Sequence, residues 1–323
     1  MSQPLVSIIV PAHNIENYID RCVASIVAQT HTNIEILLVD DGSTDGTGSR
    51  CDLWQQRDRR ISVIHKPCGG PGDARNAAIG VATGQYLSFV DGDDCIAPTL
   101  VAELLDIIAD TDADIAVCGH ITFSGAVPTT PPCKSSDKSA VVMQRDEAIL
   151  DVFYQHRISN SPCGRIFKAC IWKSLRFSTS IIYEDLAIIY QLFMSVDKVA
   201  VTDRNLYFYF IRPDSIIGHF TASRLDVLTV LESLTGTVSS KYRRAVQSRL
   251  LSASFNILGL MPHDMPGRDA AVQRCWHNIS TLRLGCFFNR RVRLKNKLGI
   301  LLSLLGKNAL AALLPHIVSS SSR

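Results

Sequence analysis

Five short apolar runs, rich in β-branched residues, alternate with helical patterns along the first part of the chain. The runs are Leu5–Val10, Ile34–Val39, Ile61–His65, Tyr86–Val90 and Asp114–Cys118. Each run is apolar on both of the faces that a strand presents, which is typical of a strand buried within a parallel sheet. The pattern therefore predicts five strands that are covered on both sides.

The stretches between these runs have the spacing of amphipathic helices. Within Ile15–Val27 the apolar residues recur at intervals of three and four, and Asn14 is the expected N-cap. A second helix is expected to begin at Ser43–Asp45, and a third to run over about residues 73–83 and end at Gly84. Such strand–helix–strand units join parallel strands, so we predict an α/β fold with a mainly parallel sheet flanked by helices.

The pattern changes beyond residue 120. Gly125–Ser139 is rich in Pro, Ser and Thr and predicts a surface loop. Two helices and two strands are predicted after it, at Gln144–Gln155, Glu184–Val196, Lys198–Val201 and Leu206–Ile211. We therefore divide the chain into residues 1–120, residues 121–220 and a helical C-terminal region, residues 221–323.

Composition and charge narrow the functional class. With 46% apolar and 20% charged residues, the 323-residue chain is neither a disordered protein nor a coiled coil. The net charge of +3 requires no polyanionic partner, but no acidic residue follows Asp269, whereas nine Lys and Arg residues do. The ten cysteines form no CxxC pair and the first residues lack a signal-peptide pattern, so we expect a reducing, cytoplasmic compartment.

Polar residues follow the first four predicted strands at the point where each strand ends. The segments are Pro11–Asn14, Asp40–Asp45, Cys68–Asn76 and Asp91–Asp94. Ligands of doubly wound sheets bind outside the carboxyl ends of the strands, so we expect these segments to converge on one site. The first segment contains no glycine and the chain contains no GxxxxGK[ST] sequence, which excludes a Rossmann dinucleotide site and a P-loop.

The segment Asp91-Gly92-Asp93-Asp94 places three carboxylates within four residues. Two like charges at about 4 Å cost about 4 kcal/mol at an effective dielectric constant of 20. A hard cation such as Mg²⁺ or Mn²⁺ would offset this repulsion and would bridge the carboxylates to substrate phosphates. The alternative is a solvated turn, because the same residues are common in turns. We favour a diphosphate substrate held by carboxylates and a metal.

Four segments, in this order, resemble the family 2 glycosyltransferases, which have the GT-A fold: VSIIVPAHN, IEILLVDDGSTDGT, GGPGDARNAAIGVATGQYLSFVDGDD and YEDL. The resemblance implies metal-dependent, inverting transfer of a sugar from a nucleotide-sugar. It assigns nucleotide-sugar binding to residues 1–120, and the acceptor side with the catalytic base to residues 121–220. The sequence departs from the family at Pro71-Gly72, where many members have Leu-Ser, and at Cys163–Lys168, where members often have a Trp and a Lys.

On the donor side, the resemblance implies that Asp93 binds the metal directly and that Asp91 binds the metal or the ribose. It places Asp40 and Asp41 near the base and ribose. An Asp accepts a hydrogen bond from a uracil N–H, which cytosine N3 does not offer, so a UDP-sugar is favoured. The other implied donor-binding residues are Pro11, His13, Asn14, Gly70 and Arg75. Arg75 suits a donor phosphate or, alternatively, a salt bridge to an Asp at the sheet edge.

On the acceptor side, Glu184-Asp185 matches the family motif in which the Asp is the general base. A helix N-terminus favours the ionised form of such an Asp, although acidic residues are also common in first helical turns without any function. The resemblance also places Arg212 on the phosphate side. His219 is either a metal or phosphate contact or a structural residue.

The basic C-terminal region has two interpretations. Phe287–Lys297 is followed by a mostly apolar stretch that contains Lys307 and Pro315. A charge near the centre of a bilayer is costly, so we expect either an amphipathic helix that lies on an anionic membrane surface or a helix packed on the rest of the protein. We expect no nucleic-acid partner, because the basic run lacks a recognised binding module.

The sequence thus predicts an inverting glycosyltransferase that moves a sugar from a UDP-sugar to a saccharide or lipid-linked saccharide, with Mn²⁺ or Mg²⁺ assisting the leaving group. One alternative is a Mg²⁺-dependent phosphohydrolase, because FVDGDD is superficially similar to the strand end of haloacid-dehalogenase-type phosphatases. In those enzymes, however, the nucleophilic Asp follows the first strand. The other alternative is a non-catalytic protein that binds sugar nucleotides.

Overall fold

The computed structural model describes residues 3–129, 140–212 and 220–320. The chain divides into two compact units. The first comprises Met1–Ala148, Asn160–Ser180 and Ile188–Pro213. The second comprises Ile149–Ser159, Ile181–Ala187 and Asp214–Arg323.

Within the described residues, the first unit is built on one nine-stranded sheet. Its strands are β1 (Val6–Ala12), β2 (Ile34–Asp41), β3 (Ile61–Lys66), β4 (Tyr86–Phe89), β5 (Cys95–Ile96), β6 (Ile115–Phe123), β7 (Val141–Gln144), β8 (Arg165–Lys168) and β9 (Lys198–Phe210). Their order is β3-β2-β1-β4-β8-β6-β9-β5, and β7 also pairs with β9. The neighbours β3, β2, β1 and β4 are parallel, as are β6 and β9, and the other pairs are antiparallel. The predicted α/β fold is confirmed.

Helices follow the strands as the apolar spacing predicted. The first six helices along the described chain are α1 (Ile19–Val27), α2 (Thr47–Arg57), α3 (Pro71–Ile79), α4 (Leu100–Thr111), α5 (Arg145–Tyr154) and α6 (Glu184–Met194). The second unit continues with α7 (Asp226–Thr237), α8 (Ser240–Leu260), α9 (Arg268–Phe287), α10 (Leu294–Ser303) and α11 (Lys307–Ser320). It is helical, in agreement with the pattern of residues 221–323.

The core of the first unit lies between the parallel strands and their helices. Ile8 and Val10 of β1 and Ile36 of β2 are fully buried, and they belong to one apolar cluster with Ile19 and Ile26 of α1. Burial of each such side chain contributes about 1.5–3 kcal/mol. This packing holds the four parallel strands side by side, so their carboxyl ends form a common edge.

The predicted bounds of α1 and α3 are wrong. α1 begins at Ile19 rather than Ile15, and Asn14 is not its N-cap but has a left-handed backbone, with φ of +50°. Asn suits both situations, because its short polar side chain tolerates positive φ and bonds to nearby backbone. α3 begins at Pro71, before the predicted start, and ends at Ile79, well before Gly84.

The second half of the sheet differs from the prediction in detail. The strands predicted at residues 198–201 and 206–211 form one strand, β9, whose pairing with β6 is irregular around Gly119. The short strands β5, β7 and β8 were not predicted, because two to four residues carry little periodicity. Of the predicted loop Gly125–Ser139, residues 130–139 lie outside the described part of the chain.

Each cysteine in the described ranges is a free thiol, and five of them are buried: Cys22, Cys51, Cys95, Cys275 and Cys286. They behave as small apolar side chains, as the absence of paired spacing in the sequence predicted. Among the described helices, none combines the length and the apolar character needed to cross a bilayer.

Candidate active site

Side chains connect the segments that follow β1 and β2 at the carboxyl edge of the sheet. His13 Nδ1 lies 2.8 Å from the backbone carbonyl oxygen of Asp41. The backbone N–H of Thr44 donates to Asn14 Oδ1 at 2.8 Å, and the N–H of Asn14 donates to Ser43 Oγ at 3.2 Å. The left-handed Asn14 therefore joins two strand ends, which is the role it has in place of a helix cap.

Asp91 and Asp93, on the turn after β4, each pair with an arginine. Arg75 Nη2 on α3 lies 2.7 Å from Asp91 Oδ1, and Arg212 Nε lies 3.2 Å from Asp93 Oδ2. Arg21 on α1 donates from Nη2 to the backbone carbonyl of Asp93 at 2.8 Å. The sequence predicts that a metal compensates this negative charge, whereas in the structure guanidinium groups supply part of the compensation. For Arg75, the salt bridge considered as an alternative is present.

Asp94 fastens this turn to the end of β9. The side chain is fully buried, and it accepts hydrogen bonds from the Tyr207 hydroxyl at 2.5 Å and from the Phe210 N–H at 2.7 Å. Burial and the neighbouring negative charges raise the pKa of Asp94. Arg212 lies two residues beyond Phe210, so the bonds of Asp94 also position the arginine that pairs with Asp93.

Gly92 allows the turn to lie directly against β1. A Cβ atom at this position would lie 2.8 Å from the carbonyl oxygen of Pro11 and 2.5 Å from Cδ1 of Ile15. Real Cβ atoms do not approach other atoms so closely, and the Pro11 carbonyl belongs to the backbone of β1, which cannot move aside as a side chain can. Only glycine permits this approach, and that explains the second residue of the acidic turn.

The donor atoms of the turn fit a hard divalent cation. Burial, followed by the charge of Asp91, raises the pKa of Asp93 to about 6, although Arg212 and Arg21 oppose the rise. The arginines therefore leave part of the negative charge uncompensated. Asp91 and Asp93 offer carboxylate oxygens, which are the donor atoms that Mg²⁺ and Mn²⁺ prefer.

Asp40, at the end of β2, is held by two neighbours. The Ser43 N–H donates to its Oδ1 at 3.1 Å, and His65 Nδ1 lies 2.9 Å from its Oδ2. Burial alone would raise the pKa of Asp40, but the hydrogen bonds from Ser43 and His65 outweigh burial and lower it. Conversely, Asp40 and Asp52 raise the pKa of His65. Asp40 is therefore an ionised carboxylate that also orders the turn after β2.

Asp41 organises the loop after β3. Lys66 Nζ lies 2.6 Å from its Oδ1, and the N–H groups of Gly69 and Gly70 donate to its two oxygens at 2.9 and 2.7 Å. Gly70, the predicted donor-binding glycine, has φ of +88° and precedes the first residue of α3. It therefore ends this loop in a left-handed backbone conformation that favours glycine. Asp41 is only 2% exposed, and its carboxylate already accepts these three donors.

Another group of possible metal ligands in the described residues lies at the carboxyl ends of β1, β2 and β3. Ligand atoms of His13, Asp41 and Cys68 lie within 4.8 Å of one another. Both ring nitrogens of His13 have polar neighbours, the Asp41 carbonyl and the Asn14 amide, and the Asp41 carboxylate already accepts three donors. This group therefore fits a metal less well than Asp91 and Asp93 do.

Glu184 and Asp185 open α6 and belong to the second unit. Glu184 is buried, Asp185 is half-buried, and Asp185 Oδ1 accepts the N–H of the next residue at 2.6 Å. In the same unit, burial and the charge of Arg293 lower the pKa of Arg249 to about 10, whereas attraction to Asp185 opposes this shift. The helix N-terminus and the guanidinium both favour the ionised form of Asp185.

The sequence places this site in a known family. The profile of Glycosyl transferase family 2 matches residues 7–173, about half of the chain. The chain belongs to this family. That membership makes it a glycosyltransferase and removes the alternative of a haloacid-dehalogenase-type phosphohydrolase.

Several curated bacterial proteins are similar to this family 2 glycosyltransferase. Glycosyltransferase GlyG of Streptococcus pneumoniae is 30% identical over 221 residues, which cover 66% of this chain and 73% of GlyG. Glycosyltransferase GlyA of the same organism is 32% identical over 69% of this chain, but the match covers only 33% of GlyA. The uncharacterized glycosyltransferase EpsJ of Bacillus subtilis is 32% identical over 66% of this chain and 63% of EpsJ. The chain thus spans a third of GlyA and less than two thirds of EpsJ.

Solved structures of low sequence identity show the same fold. TarS 1–349 of S. aureus, in complex with UDP-GlcNAc, has a TM-score of 0.72 and 19% identity, and the match covers 98% of this chain and 92% of that chain. The mannosyltransferase PcManGT from Pyrobaculum calidifontis, in complex with GDP-Man and Mn²⁺, has a TM-score of 0.53 and 16% identity, over 97% and 87% of the two chains. The GT-A-type fold implied by the motifs is confirmed.

The described structure brings most of the predicted site residues of this glycosyltransferase together in its first unit. They are Pro11, His13, Asn14, Asp40, Asp41, Gly70, Arg75, Asp91, Asp93 and Arg212. Glu184 and Asp185 lie in the second unit, and His219 lies outside the described residues. The functional role of each of these residues stays a prediction.

Four residues at the site were not found from the sequence. His65 and Lys66 end β3, so the strand-end rule that selected the other segments would have found them. Arg21 lies within α1 and Tyr207 within β9, and nothing in their spacing marks them as neighbours of the acidic turn. Only the packing of α1 and β9 around that turn identifies them.

Proposed function

We propose that this enzyme transfers a sugar, with inversion, from a UDP-sugar to a saccharide or lipid-linked saccharide acceptor. The observation that carries the proposal is the turn after β4, where Asp91 and Asp93 lie among arginines at the carboxyl edge of the sheet. Inverting transfer requires that the departing diphosphate is stabilised and that the acceptor hydroxyl loses its proton.

In this proposal Asp93, together with Asp91, holds Mn²⁺ or Mg²⁺. When bound, the cation supplies positive charge to the leaving diphosphate. Arg75 and Arg212 hold the two carboxylates in place and add positive charge beside them. The Mn²⁺ in the PcManGT complex supports a metal requirement, and the UDP-GlcNAc in the TarS complex supports a UDP-sugar donor.

Of Asp40 and Asp41, Asp40 is the better candidate for accepting a hydrogen bond from a uracil base. Each carboxylate oxygen has two lone pairs, and each oxygen of Asp40 has one protein neighbour, Ser43 or His65. Acceptor capacity on Asp40 therefore remains for a uracil N–H. Asp41 has less capacity, because three donors already bind its carboxylate, and its proposed contribution is to order the loop that ends at Gly70.

Asp185 is the proposed general base, and Glu184 supports it. The motif they form, the first helical turn of α6 and the neighbouring Arg249 favour an ionised Asp185 that can accept the proton of an acceptor hydroxyl. Positioned general bases typically contribute 10²–10⁴-fold to the rate. His219 stays a candidate phosphate or metal contact on the sequence pattern alone.

In this proposal the enzyme is cytoplasmic and binds peripherally to the cytoplasmic face of the membrane, where it would have access to a lipid-linked acceptor. The free thiols of the described cysteines support a reducing compartment. The basic C-terminal region supports contact with anionic lipid.

A donor screen tests the proposal. UDP release should be measured across a panel of UDP-sugars, with GDP-mannose as a competing donor class, in Mn²⁺ and after treatment with EDTA. We expect release with at least one UDP-sugar, and we expect EDTA or Asp93→Asn to abolish it. Asp58→Asn is the matched control, because Asp58 is also a half-buried, arginine-paired carboxylate but precedes β3 at the opposite edge of the sheet. Full turnover by the metal-stripped enzyme or by Asp93→Asn would refute the assignment.

A further inference from the structure

Helix α10, in the second unit, presents its apolar side to solvent and buries its small and polar side. The buried residues are Asn296, Gly299, Ile300 and Ser303. Leu294, Leu298 and Leu301 are 73%, 54% and 48% exposed. An ordinary surface helix has the opposite arrangement, with leucines inward and polar residues outward.

Packing against α8 fixes this orientation. A Cβ atom at Gly299 would lie 3.0–3.1 Å from the ring carbons of Phe255 on α8, so α10 approaches α8 closely through its glycine. Ser303 is fully buried, and its hydroxyl donates to the carbonyl of Ile300 within the helix. The polar residues on the inner side are therefore accommodated, and the leucines are left in water.

The exposed leucines form one continuous stripe, which we call the leucine face and define as Leu294, Leu298, Leu301 and Leu305. The spacing of four and three residues keeps Leu294, Leu298 and Leu301 on one side of a helix that turns by about 100° per residue. Leu305, just after the helix, is 64% exposed. A further exposed pair, Leu284 and Phe288, ends α9 at 68% and 79% exposure. Single exposed apolar residues are common, but a contiguous set of this size marks an interaction surface.

Positive charge flanks the leucine face. Lys295 and Lys297 fall on either side of the stripe by helical position, and Arg290 and Arg291 are exposed on the segment before α10. No acidic residue follows Asp269 in the sequence, so this segment carries no acidic side chain of its own beside these cations. An apolar stripe with cationic borders matches the layers of an anionic membrane surface, in which phosphate groups lie beside acyl chains.

We propose that the leucine face docks the enzyme on a membrane surface rich in anionic lipid, with the leucines among the acyl chains and the flanking cations on the phosphates. A second copy of the chain is a poorer occupant, because pairing two such faces would bring their cationic borders together. This inference deepens the peripheral location in the proposed function by naming the face and the lipid class, and it does not depend on which sugar is transferred.

Vesicle co-sedimentation of the full chain tests the proposal. Vesicles of phosphatidylcholine alone are compared with vesicles in which one third of the lipid is phosphatidylglycerol. We expect binding to the anionic vesicles that weakens as salt is added. Leu294→Ser combined with Leu298→Ser should weaken it at least about tenfold, since two apolar side chains no longer leave water. Leu53→Ser is the control, because Leu53 on α2 is similarly exposed, at 47%.

A second pair of variants isolates the charge. Arg290→Gln with Arg291→Gln should weaken binding and flatten its salt dependence, whereas Arg243→Gln with Arg244→Gln, two exposed arginines on α8 of the same unit, should not. UDP release in vesicle-free solution should be unchanged in every variant, which shows that the fold is intact. If the enzyme binds vesicles but releases no UDP from any donor, the proposed function fails and this inference stands.

Two results would overturn the inference. The first is equal binding of the leucine variant and the unaltered enzyme to anionic vesicles, which would show that the leucine face does not enter the membrane. The second is self-association of the unaltered enzyme in sedimentation velocity that the leucine substitutions abolish, which would identify a second copy as the occupant.

Discussion

Replacement of Asp93 by Asn is expected to stabilise the metal-free protein while it destroys activity. Asp93 is a candidate metal ligand whose carboxylate is partly desolvated beside Asp91, and this environment raises its pKa to about 6 from an ordinary value of 3.8. The difference corresponds to about 3 kcal/mol of stability lost when Asp93 is ionised. An amide at this position carries no charge and avoids that cost.

The direction of the pKa shift of Asp93 determines how the stability difference between the variant and the unaltered protein depends on pH. Below pH 3.8 the carboxyl group is protonated in the folded and the unfolded protein, so Asp93→Asn should change little. Between pH 3.8 and 6 the unfolded chain ionises first, and the stability of the unaltered protein falls as pH rises. Above pH 6 the variant should be more stable by up to about 3 kcal/mol.

Denaturant unfolding in EDTA at pH 4 and at pH 8 measures this difference, and the same experiment in Mn²⁺ measures metal binding. Mn²⁺ should stabilise the unaltered protein and not the variant, because a ligand stabilises only the state that binds it. Asp58→Asn provides a control of opposite sign: its hydrogen bond with Arg60 lowers the pKa of Asp58, so the substitution should destabilise at pH 8 and less so in acid. If Asp93→Asn is less stable than the unaltered protein at pH 8, or gains equally from Mn²⁺, the reasoning is wrong.

Three further substitutions test other parts of the site. Asp185→Asn should lower turnover by about 10²–10⁴-fold while UDP binding, measured by calorimetry, is retained. The exposed Asp203→Asn should leave turnover and binding unchanged, and a fully active Asp185→Asn would exclude Asp185 as the base. Gly92→Ala should destabilise the protein by about 1–3 kcal/mol in denaturant unfolding, because its Cβ would lie 2.5 Å from a side-chain carbon. Gly125→Ala, whose Cβ would have nothing within 4 Å, should be neutral, and equal unfolding midpoints of the two variants would contradict the close approach at Gly92. Asp94→Ala should cost about 1–3 kcal/mol for each of the two buried donors that it leaves unsatisfied, and calorimetric unfolding that shows no loss would contradict its anchoring role.

Much of the first unit could be predicted from the sequence because its signals are local. The four parallel strands are continuous apolar runs, and each ends in polar residues that cannot lie in the core, so both the strands and the edge that holds the site follow from pattern alone. Asn14 shows the limit of this reasoning. Its side chain suits a helix cap and a left-handed turn equally well, and the choice depends on Thr44, thirty residues away in sequence.

The charge balance at the acidic turn could not be predicted. The sequence shows three aspartates in four residues, but the arginines that face them come from α1, from α3 and from the end of β9. Their distances from the turn depend on how those elements pack. The pKa of Asp93 is a sum over these neighbours and over burial, so it is a property of the folded protein.

The sequence by itself determined the α/β architecture, the family, the strand-end residues that line one edge, and the excess of basic residues near the C-terminus, because each is written in local periodicity or in ordered motifs. Only the tertiary structure decided which charges meet at the acidic turn, that Asp94 fastens this turn to β9, and that α10 turns its leucines to solvent. These features depend on contacts between residues that are far apart in the chain. The helical spacing of α10 shows that it has an apolar side, but its packing through Gly299 against Phe255 decides that this side faces outward.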